Sequence, residues 1–397
     1  MQKRILVIMS SCIIFLGLKA QDISVDEILR QIDRNNKELS GMTALIQSKQ
    51  ADLYTTNNIP ATEIGGYYLP LGTHNTGNYS ELQLSQSFKF PTVYQARKDL
   101  IDQQEIKLQL DYQIKRQEIL LTAKQLCFDI IFTNQRIAIQ QDRSIKAQIV
   151  FDQISELHRK EEISLLELNK AKVFWLQQQF KVQQLESDKL SMLLLLKNLN
   201  GGMSLSIDQI EYNADLHLND KDTIWLDILE SDPLPKQLRQ EEVVASYQLK
   251  LQREMKKPDL TAGLNYQGVN GANYTGIYAG ISLPIWSHKG KIEAAQQNLK
   301  FRETRSVWKI EEVHADFEKQ YNDYQALLPK FAEYQSTLGA LQSDALLMRA
   351  YEVGQISFLE YYMELSFYRE AQDALIQFEH QLHQLQNEIL KHELLNN

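Results

Sequence analysis

Two parts of the chain alternate apolar and polar residues with a period of two. In the first half the apolar row is Leu82, Leu84, Phe88 and Phe90, interrupted by Gln86. In the second half two rows follow each other, Leu260, Ala262, Leu264 and Tyr266, then Ile277, Ala279, Ile281 and Leu283. This period predicts strands with one apolar and one polar face. Together with a less regular strand near 62–69, and with loops rich in glycine and asparagine, it predicts two β-hairpins, 61–90 and 259–284.

Apolar residues recur in steps of three, four and seven through the long stretches after each hairpin. One row in the first half is Leu110, Ile114, Leu121, Phe128 and Ile131, and a strictly heptad row in the second half is Ile310, Phe317, Tyr324, Phe331, Leu338 and Ala345. Such repeats predict long helices in a left-handed supercoil. A second row on each helix indicates neighbours on two sides. Pro329 predicts a kink in the later helix.

The two halves of the chain repeat each other at a fixed offset. Ile163-Ser164 returns as Ile356-Ser357 and Pro91 returns as Pro284, an offset of 193 residues in both cases. In each half, 72 residues separate the proline from the isoleucine. A rigid helical segment keeps such a spacing, and it is about 108 Å long at ~1.5 Å rise per residue.

The helices are predicted to reverse at Glu161-Glu162 and at Gly354-Gln355, and Gly201-Gly202 ends the first returning helix. An initial helix is expected over 25–58. The predicted organisation is a signal peptide (1–20), a first repeat (21–202, with helices over 91–200), a connector (203–222) and a second repeat (223–397, with helices over 285–395). The predicted fold class is mostly α with a small β part, in which helical hairpins and β-hairpins are duplicated.

The first twenty residues have the pattern of a secretory signal peptide, with a basic head, an apolar run over 5–18, and Ala20 before the predicted cleavage. The alternative is a transmembrane anchor, for which the run is short. Cys12 lies inside the apolar run, which disfavours its lipidation. After cleavage Cys127 is the remaining cysteine, so an internal disulfide is excluded. The net charge of −9 becomes −12 without the three basic residues of the signal, which argues against a nucleic-acid partner.

The alternating strands have two interpretations. They are either soluble hairpins packed on a core, or membrane strands with an apolar side toward lipid and a polar side toward water. Because no apolar run of about 18 residues follows the signal, a helical span is not predicted. The membrane interpretation is favoured by tyrosines near the strand ends, where aromatic residues concentrate in bilayers: Tyr67, Tyr68, Tyr79, Tyr266, Tyr274 and Tyr278. Four strands cannot close a barrel, so this interpretation requires an oligomer in outer-membrane lipid.

Two repeats of helix, β-hairpin and long helical hairpin after a signal peptide resemble the TolC family of outer-membrane efflux channels. The resemblance covers the whole mature chain. Its most specific marks are the strand-ending Pro91 and Pro284 and the motif Tyr351-x-x-Gly354-x-Ile356-Ser357-x-x-Glu360. The segment Phe-Pro-Thr-Val-Tyr at 90–94 is similar to members that work with heavy-metal efflux pumps.

The resemblance implies a homotrimer in the outer membrane of a Gram-negative bacterium, with one 12-stranded β-barrel joined to a helical barrel in the periplasm. It implies a passive exit duct that works with a periplasmic adaptor protein and an inner-membrane pump of the RND type. The tips of the helical hairpins are then the adaptor contacts, at Gly354, Ile356, Ser357, Ile163 and Ser164. Glu360 and Glu167 fall where the family often has acidic residues at the tunnel entrance, and a ring of carboxylates there attracts cations.

The chain departs from the family pattern at two positions. Glu161 stands where the second half has Gly354, so the first turn lacks the usual glycine. Met363 stands where some members have a second acidic residue of the gate, so a double carboxylate ring is not expected. For Glu360 and Glu167 the alternative interpretation is a solvated charge beside the helical seam.

Motifs of enzymes are missing from the sequence, and we expect neither catalysis nor a cofactor. It contains no Gly-x-Ser-x-Gly, no His-Glu-x-x-His and no phosphate-binding glycine loop. His380 and His383 form a possible metal-binding pair, but two ligands are few, and a wet helix face is the preferred interpretation.

Two functions from different classes fit the sequence. The first is the passive exit duct, and the second is a secreted coiled-coil scaffold without a pore. The alternating strands favour the duct, because a scaffold does not need them. The sequence leaves the cargo open among metal cations, organic toxicants and polypeptides, because the pump selects it.

Overall fold

The computed structural model describes residues 24–70, 77–213, 215–339 and 343–396. The predicted signal peptide and Cys12 lie outside the described residues. The elements in chain order are α1 (Val25–Asn35), α2 (Lys37–Thr55), β1 (Glu63–Leu69), β2 (Tyr79–Phe88), α3 (Pro91–Arg159), α4 (Leu165–Leu199), α5 (Lys221–Ser231), α6 (Pro233–Glu254), β3 (Asp259–Val269), β4 (Ala272–Ser282), α7 (Lys291–Gly339), α8 (Ser343–Glu352), α9 (Phe358–Ile389) and a closing 3₁₀ helix (Lys391–Leu395). This order confirms, for the single chain, the predicted mostly helical fold class with a small β part.

The long helices pack side by side in hairpins. The 69 residues of α3 make it about 100 Å long at ~1.5 Å rise per residue. It packs against α4 of its own repeat and against α6 and α9 of the second repeat, while α7 packs against α6 and α9. The helix α3 therefore has neighbours on several sides, as its two apolar rows predict.

The initial helix is divided in two, where the sequence predicted one helix over 25–58. Asn36 has an extended conformation, and its side-chain oxygen accepts hydrogen bonds from the N–H groups of Glu38 (2.9 Å) and Leu39 (3.0 Å). Its side-chain nitrogen donates to the carbonyl of Leu199 at 2.8 Å. Asp232 is the corresponding N-cap residue between α5 and α6, and its side chain accepts a hydrogen bond from Leu234 N–H at 2.9 Å. A side chain that caps the next helix stops the preceding one at these positions.

Two apolar clusters hold the middle of the molecule. The first joins α1, the middle of α3 and the connector, with Ile28, Ile130 and Ile207 fully buried or nearly so. The second contains three consecutive members of the predicted heptad row, Phe317, Tyr324 and Phe331, packed against α5 and α9. The connector over 203–220 carries no helix or strand in its described residues, and it contributes apolar side chains to both clusters.

The later long helix differs from the prediction at its start. The helix α7 begins at Lys291, not at 285, because a turn follows Pro284 in which Lys289 N–H donates to the carbonyl of Trp286 at 3.2 Å. Pro329 lies inside α7, which continues through it to Gly339. Within the described residues, we find no helix that combines the length and the apolar character needed to cross a membrane.

The four strands form one antiparallel sheet in the order β1-β2-β3-β4. The central pair joins the two repeats, because β2 and β3 pair from Tyr79 opposite Val269 to Phe88 opposite Leu260. The strands β1 and β4 are the edges of this sheet. All four chain passages between helices and strands lie at the end marked by the pair Asp259 and Ser282, which we call the helix end. The opposite end, with the loops after β1 and β3, is the loop end.

Candidate functional site: the sheet and the helix tips

One face of the sheet is apolar and uncovered. Ile64, Leu84, Leu264 and Ile277 stand opposite one another across all four strands. Residues directly opposite in an antiparallel sheet share a face. Ile64 is 74% exposed and Ile277 is 90% exposed. A soluble hairpin buries such a row, whereas this chain presents it to its surroundings.

The other face of the sheet is polar. Gly65, Gln83, Asn265 and Gly276 form the neighbouring row across the same strands. Asn265 donates to the carboxylate of Glu81 at 2.8 Å, from one repeat to the other. The predicted alternation along each strand therefore becomes a division between two faces of one sheet.

The turns at the two ends of the helical hairpins, 160–164 (the first tip) and 353–357 (the second tip), have the same backbone hydrogen bonds. Glu162 N–H donates to the carbonyl of Leu157 at 3.0 Å, and Gln355 N–H donates to the carbonyl of Ala350 at 2.9 Å. A bond of this span closes a helix after a residue with positive φ. The repeat detected in the sequence thus extends to the hydrogen bonds of the turns.

The first tip makes this turn without glycine. Glu161 has φ 62° and Gly354 has φ 73°. A residue with a Cβ pays an energy of roughly 1–2 kcal/mol for the left-handed conformation, which glycine avoids. The turn that the sequence left uncertain is therefore the same turn, formed by a strained glutamate.

Serine begins the returning helix at both tips. Ser164 Oγ accepts from Glu167 N–H, and Ser357 Oγ accepts from Glu360 N–H, each at 3.3 Å. At the second tip the carboxylate of Glu360 also accepts from Ser357 N–H (2.8 Å) and Ser357 Oγ (2.9 Å), which completes a capping box. These hydrogen bonds, first from the Ser357 backbone and then from its hydroxyl, lower the pKa of Glu360.

The two tips pack against each other. Ile163 and Ile356 both pack against a cluster formed by Val150, Ile154, Ala171, Tyr361 and Leu365. A groove of about 710 Å³ runs between the tips. The predicted residues that line it are Ile163, Glu167, Gly354, Ile356 and Ser357. Predicted contact residues from both halves of the sequence thus meet at one surface.

The histidine pair of the last helix is buried, and the predicted wet helix face is wrong. His383 is 2% exposed and stacks on Tyr212, with 4.0 Å between ring centroids. His380 Nε2 lies 3.1 Å from a carboxylate oxygen of Asp129, and its Nδ1 lies 3.0 Å from Tyr212 Oη. The spacing of polar residues along the last helix does not show that α3 and the connector cover this face. In the described part of the chain no group of three or more metal-ligating side chains is found.

Comparison with solved structures identifies the fold. The outer-membrane channel OprN superposes with a TM-score of 0.77 at 12% sequence identity, covering 93% of this chain and 89% of that one. CusC, a protein that forms a transmembrane channel, superposes with a TM-score of 0.73 at 15% identity, covering 94% and 91%. The outer-membrane protein VceC from Vibrio cholerae gives 0.72 at 13% identity, covering 93% and 95%. The chain has the fold of these outer-membrane channels, as its resemblance to the TolC family implies. No protein-family model matches the sequence, and no curated protein matches it.

Besides its predicted role at the gate, Glu360 caps the start of α9, a role that the sequence analysis missed. The signal was present, because serine followed by glutamate three residues later marks a capping box at the start of a helix. From the sequence, Ser357 is predicted as a contact residue and Glu360 as a gate residue, and the structure shows that the two are also bonded to each other. The structure adds the cap at the start of α9, and the predicted roles in contact and gating remain predictions.

Proposed function

We propose that the chain is one subunit of a passive outer-membrane exit duct. The main support for this proposal is the exposed apolar row of the sheet, formed by Ile64, Leu84, Leu264 and Ile277. An exposed apolar sheet face is stable in contact with lipid and unfavourable in water. A bilayer tolerates no open sheet edge, and β1 and β4 are both edges. Three copies supply twelve strands, enough to close a barrel in which every edge is paired. The duct is therefore a homotrimer in the outer membrane, with its helices in the periplasm.

The helix tips of this duct are the docking surface for a periplasmic adaptor protein, which links the duct to an inner-membrane pump of the RND type. The groove between the tips supports this proposal. It offers apolar side chains, Ile163 and Ile356, beside turns whose ends are exposed, with Val353 61% exposed. The duct opens by rearrangement of the tip helices. The pump selects the cargo.

The carboxylates of Glu360 and Glu167 form the gate of the tunnel and attract cations. The capping box allows a sharp test for Glu360, because glutamine keeps the cap and loses the charge. Single-channel currents of the purified protein in planar bilayers are compared for wild type, Glu360→Gln and Glu360→Ala. We expect both variants to lose cation selectivity equally. Selectivity that Glu360→Gln retains and Glu360→Ala loses would assign Glu360 to the cap and remove it from the gate.

The pore itself is tested by the same currents together with membrane extraction. A duct stays in carbonate-washed membranes and conducts after reconstitution. Release by carbonate and absence of current from a detergent-stable oligomer would favour the alternative, a secreted coiled-coil scaffold.

A further inference from the structure

The helix end of the sheet concentrates positive charge in an acidic chain. Residues 65–84 and 264–280, which include the loop end, contain neither lysine nor arginine. The passages at the helix end carry five lysines: Lys89, Lys256, Lys257, Lys289 and Lys291. Since the chain as a whole has a net charge of −9, this distribution is a strong local departure.

Three of these lysines, Lys89, Lys256 and Lys291, lie near His288, and Lys289 follows His288 in the same turn. Burial lowers the pKa of His288, and the charges of Lys291, Lys89 and Lys256 lower it further, while Asp259 acts in the opposite direction. Charges act on one group in this way when they lie near it. Three separate chain passages thus bring their lysines to one side of the molecule.

Two of the five lysines are neutralised locally. Lys89 Nζ lies 2.5 Å from the carboxylate of Asp259, and Lys257 Nζ lies 2.6 Å from that of Glu254. Lys256, Lys289 and Lys291 are exposed, and they form no ion pair within the described residues. These three cations are available to an anion from outside the chain.

An apolar anchor lies in the same turn. Trp286 is 82% exposed, and the adjoining Ile285 and Leu283 are also exposed. The hydrogen bond from Lys289 N–H to the Trp286 carbonyl (3.2 Å) holds the tryptophan and this lysine in one turn. An exposed tryptophan beside unpaired lysines, at the edge of an apolar sheet face, matches the chemistry of a lipid headgroup region.

From this arrangement we infer that the helix end is a binding site for anionic phospholipid headgroups, in which Lys256, Lys289 and Lys291 bind the phosphate and Trp286 inserts beside it. The inference rests on the proposed membrane location of the sheet and adds a lipid preference to it. The apolar sheet face continues directly into this turn through Ile281 and Leu283, both exposed. A lipid that lies against the strands therefore places its headgroup at the lysines.

The test uses the full-length protein, purified as its oligomer and reconstituted in vesicles of phosphatidylcholine with or without phosphatidylglycerol. Quenching of Trp286 by lipids brominated near the headgroup is measured, and Trp286→Phe supplies the background from the other tryptophans. We expect phosphatidylglycerol to be preferred by about tenfold or more at low salt, and the preference to weaken at high salt.

A triple variant tests the lysines: Lys256→Gln, Lys289→Gln and Lys291→Gln together. We expect it to insert normally and to lose the preference. A control with the same change of charge uses exposed lysines of α4, without ion pairs in the described residues: Lys170→Gln, Lys172→Gln and Lys181→Gln. We expect this control to keep the wild-type preference.

Three results would overturn the inference. They are equal quenching by both lipids in the wild type, a control variant that loses the preference as fully as the test variant, and displacement of phosphatidylglycerol by inorganic phosphate, which indicates a site for free anions. Failure to insert into either kind of vesicle would instead refute the proposed membrane function, so the two failures are distinguishable.

Discussion

Because both tips contain a residue with positive φ, we predict that Gly354→Ala destabilises the second tip and that Glu161→Gly stabilises the first. Gly354 has φ 73°, and a Cβ added there meets no atom within 4 Å, so the cost of Gly354→Ala comes from the backbone alone. The left-handed conformation costs an alanine roughly 1–2 kcal/mol, and the lower entropy of the unfolded chain offsets roughly 0.4–1 kcal/mol. The net destabilisation of the second tip is about 1 kcal/mol. Glu161→Gly reverses both terms and stabilises the first tip by about 0.5–1 kcal/mol.

Hydrogen exchange at the turn amides measures both effects. The reporters are Gln355 N–H, bonded to the Ala350 carbonyl, and Glu162 N–H, bonded to the Leu157 carbonyl. Since 1.4 kcal/mol corresponds to a factor of ten, Gly354→Ala speeds local exchange about fivefold.

Glu161→Gly slows local exchange at the first tip roughly two- to fivefold. Gly41→Ala is the matched control, because Gly41 lies inside α2 with open space around it, and it leaves both tips unchanged. Unchanged exchange in Gly354→Ala, or faster exchange in Glu161→Gly, would refute the reasoning.

Three further predictions concern the interior. Burial, and then the neighbouring His380, lower the pKa of His383 from 6.5 to about 4. Because the unfolded chain binds more protons than the folded protein between these pH values, acidification over this window removes up to about 3 kcal/mol of folding free energy. In His383→Phe, the melting temperature loses that part of its pH dependence. Burial raises the pKa of the Cys127 thiol to about 12. We therefore expect a maleimide to label Cys127 in denaturant but not in the native protein, because the reactive thiolate is absent and the side chain is covered. Rapid labelling of the native protein would contradict this burial. Asn36→Ala lowers the free energy of unfolding by about 1–3 kcal/mol because it removes the cap of α2 and the hydrogen bond to the Leu199 carbonyl. Asn36→Asp keeps the cap and lowers the free energy of unfolding less. Equal losses of unfolding free energy in denaturant titrations of the two variants would show that the cap does not contribute.

The helical reversals were predictable because their determinants are local. The fixed offset of 193 residues places both turns. Serine at 164 and 357, each followed three residues later by glutamate, is a further local signal for the start of a helix, and its capping bonds are seen in the structure. The sequence also placed the apolar rows and hence the two faces of the strands. The division at Asn36 was missed because its partner, the Leu199 carbonyl, lies 163 residues away.

The burial of His380 and His383 was missed for the same reason, because the residues that cover them are distant in sequence. The pair is polar and spaced as on an exposed helix face, and nothing near it in sequence indicates that Tyr212 and Asp129 cover it. The lysines at the helix end come from three separate passages, and their common neighbourhood follows from the strand order.

The sequence by itself determined the elements, their duplication and the amphipathic strands, because period, capping and backbone preference act within a few residues. Only the tertiary structure decided which face each element covers, that the two tips share one groove, and that lysines distant in sequence stand around one turn. The shared groove of the tips and the burial of the histidine pair depend on contacts between segments more than a hundred residues apart, and local pattern carries no information about such contacts.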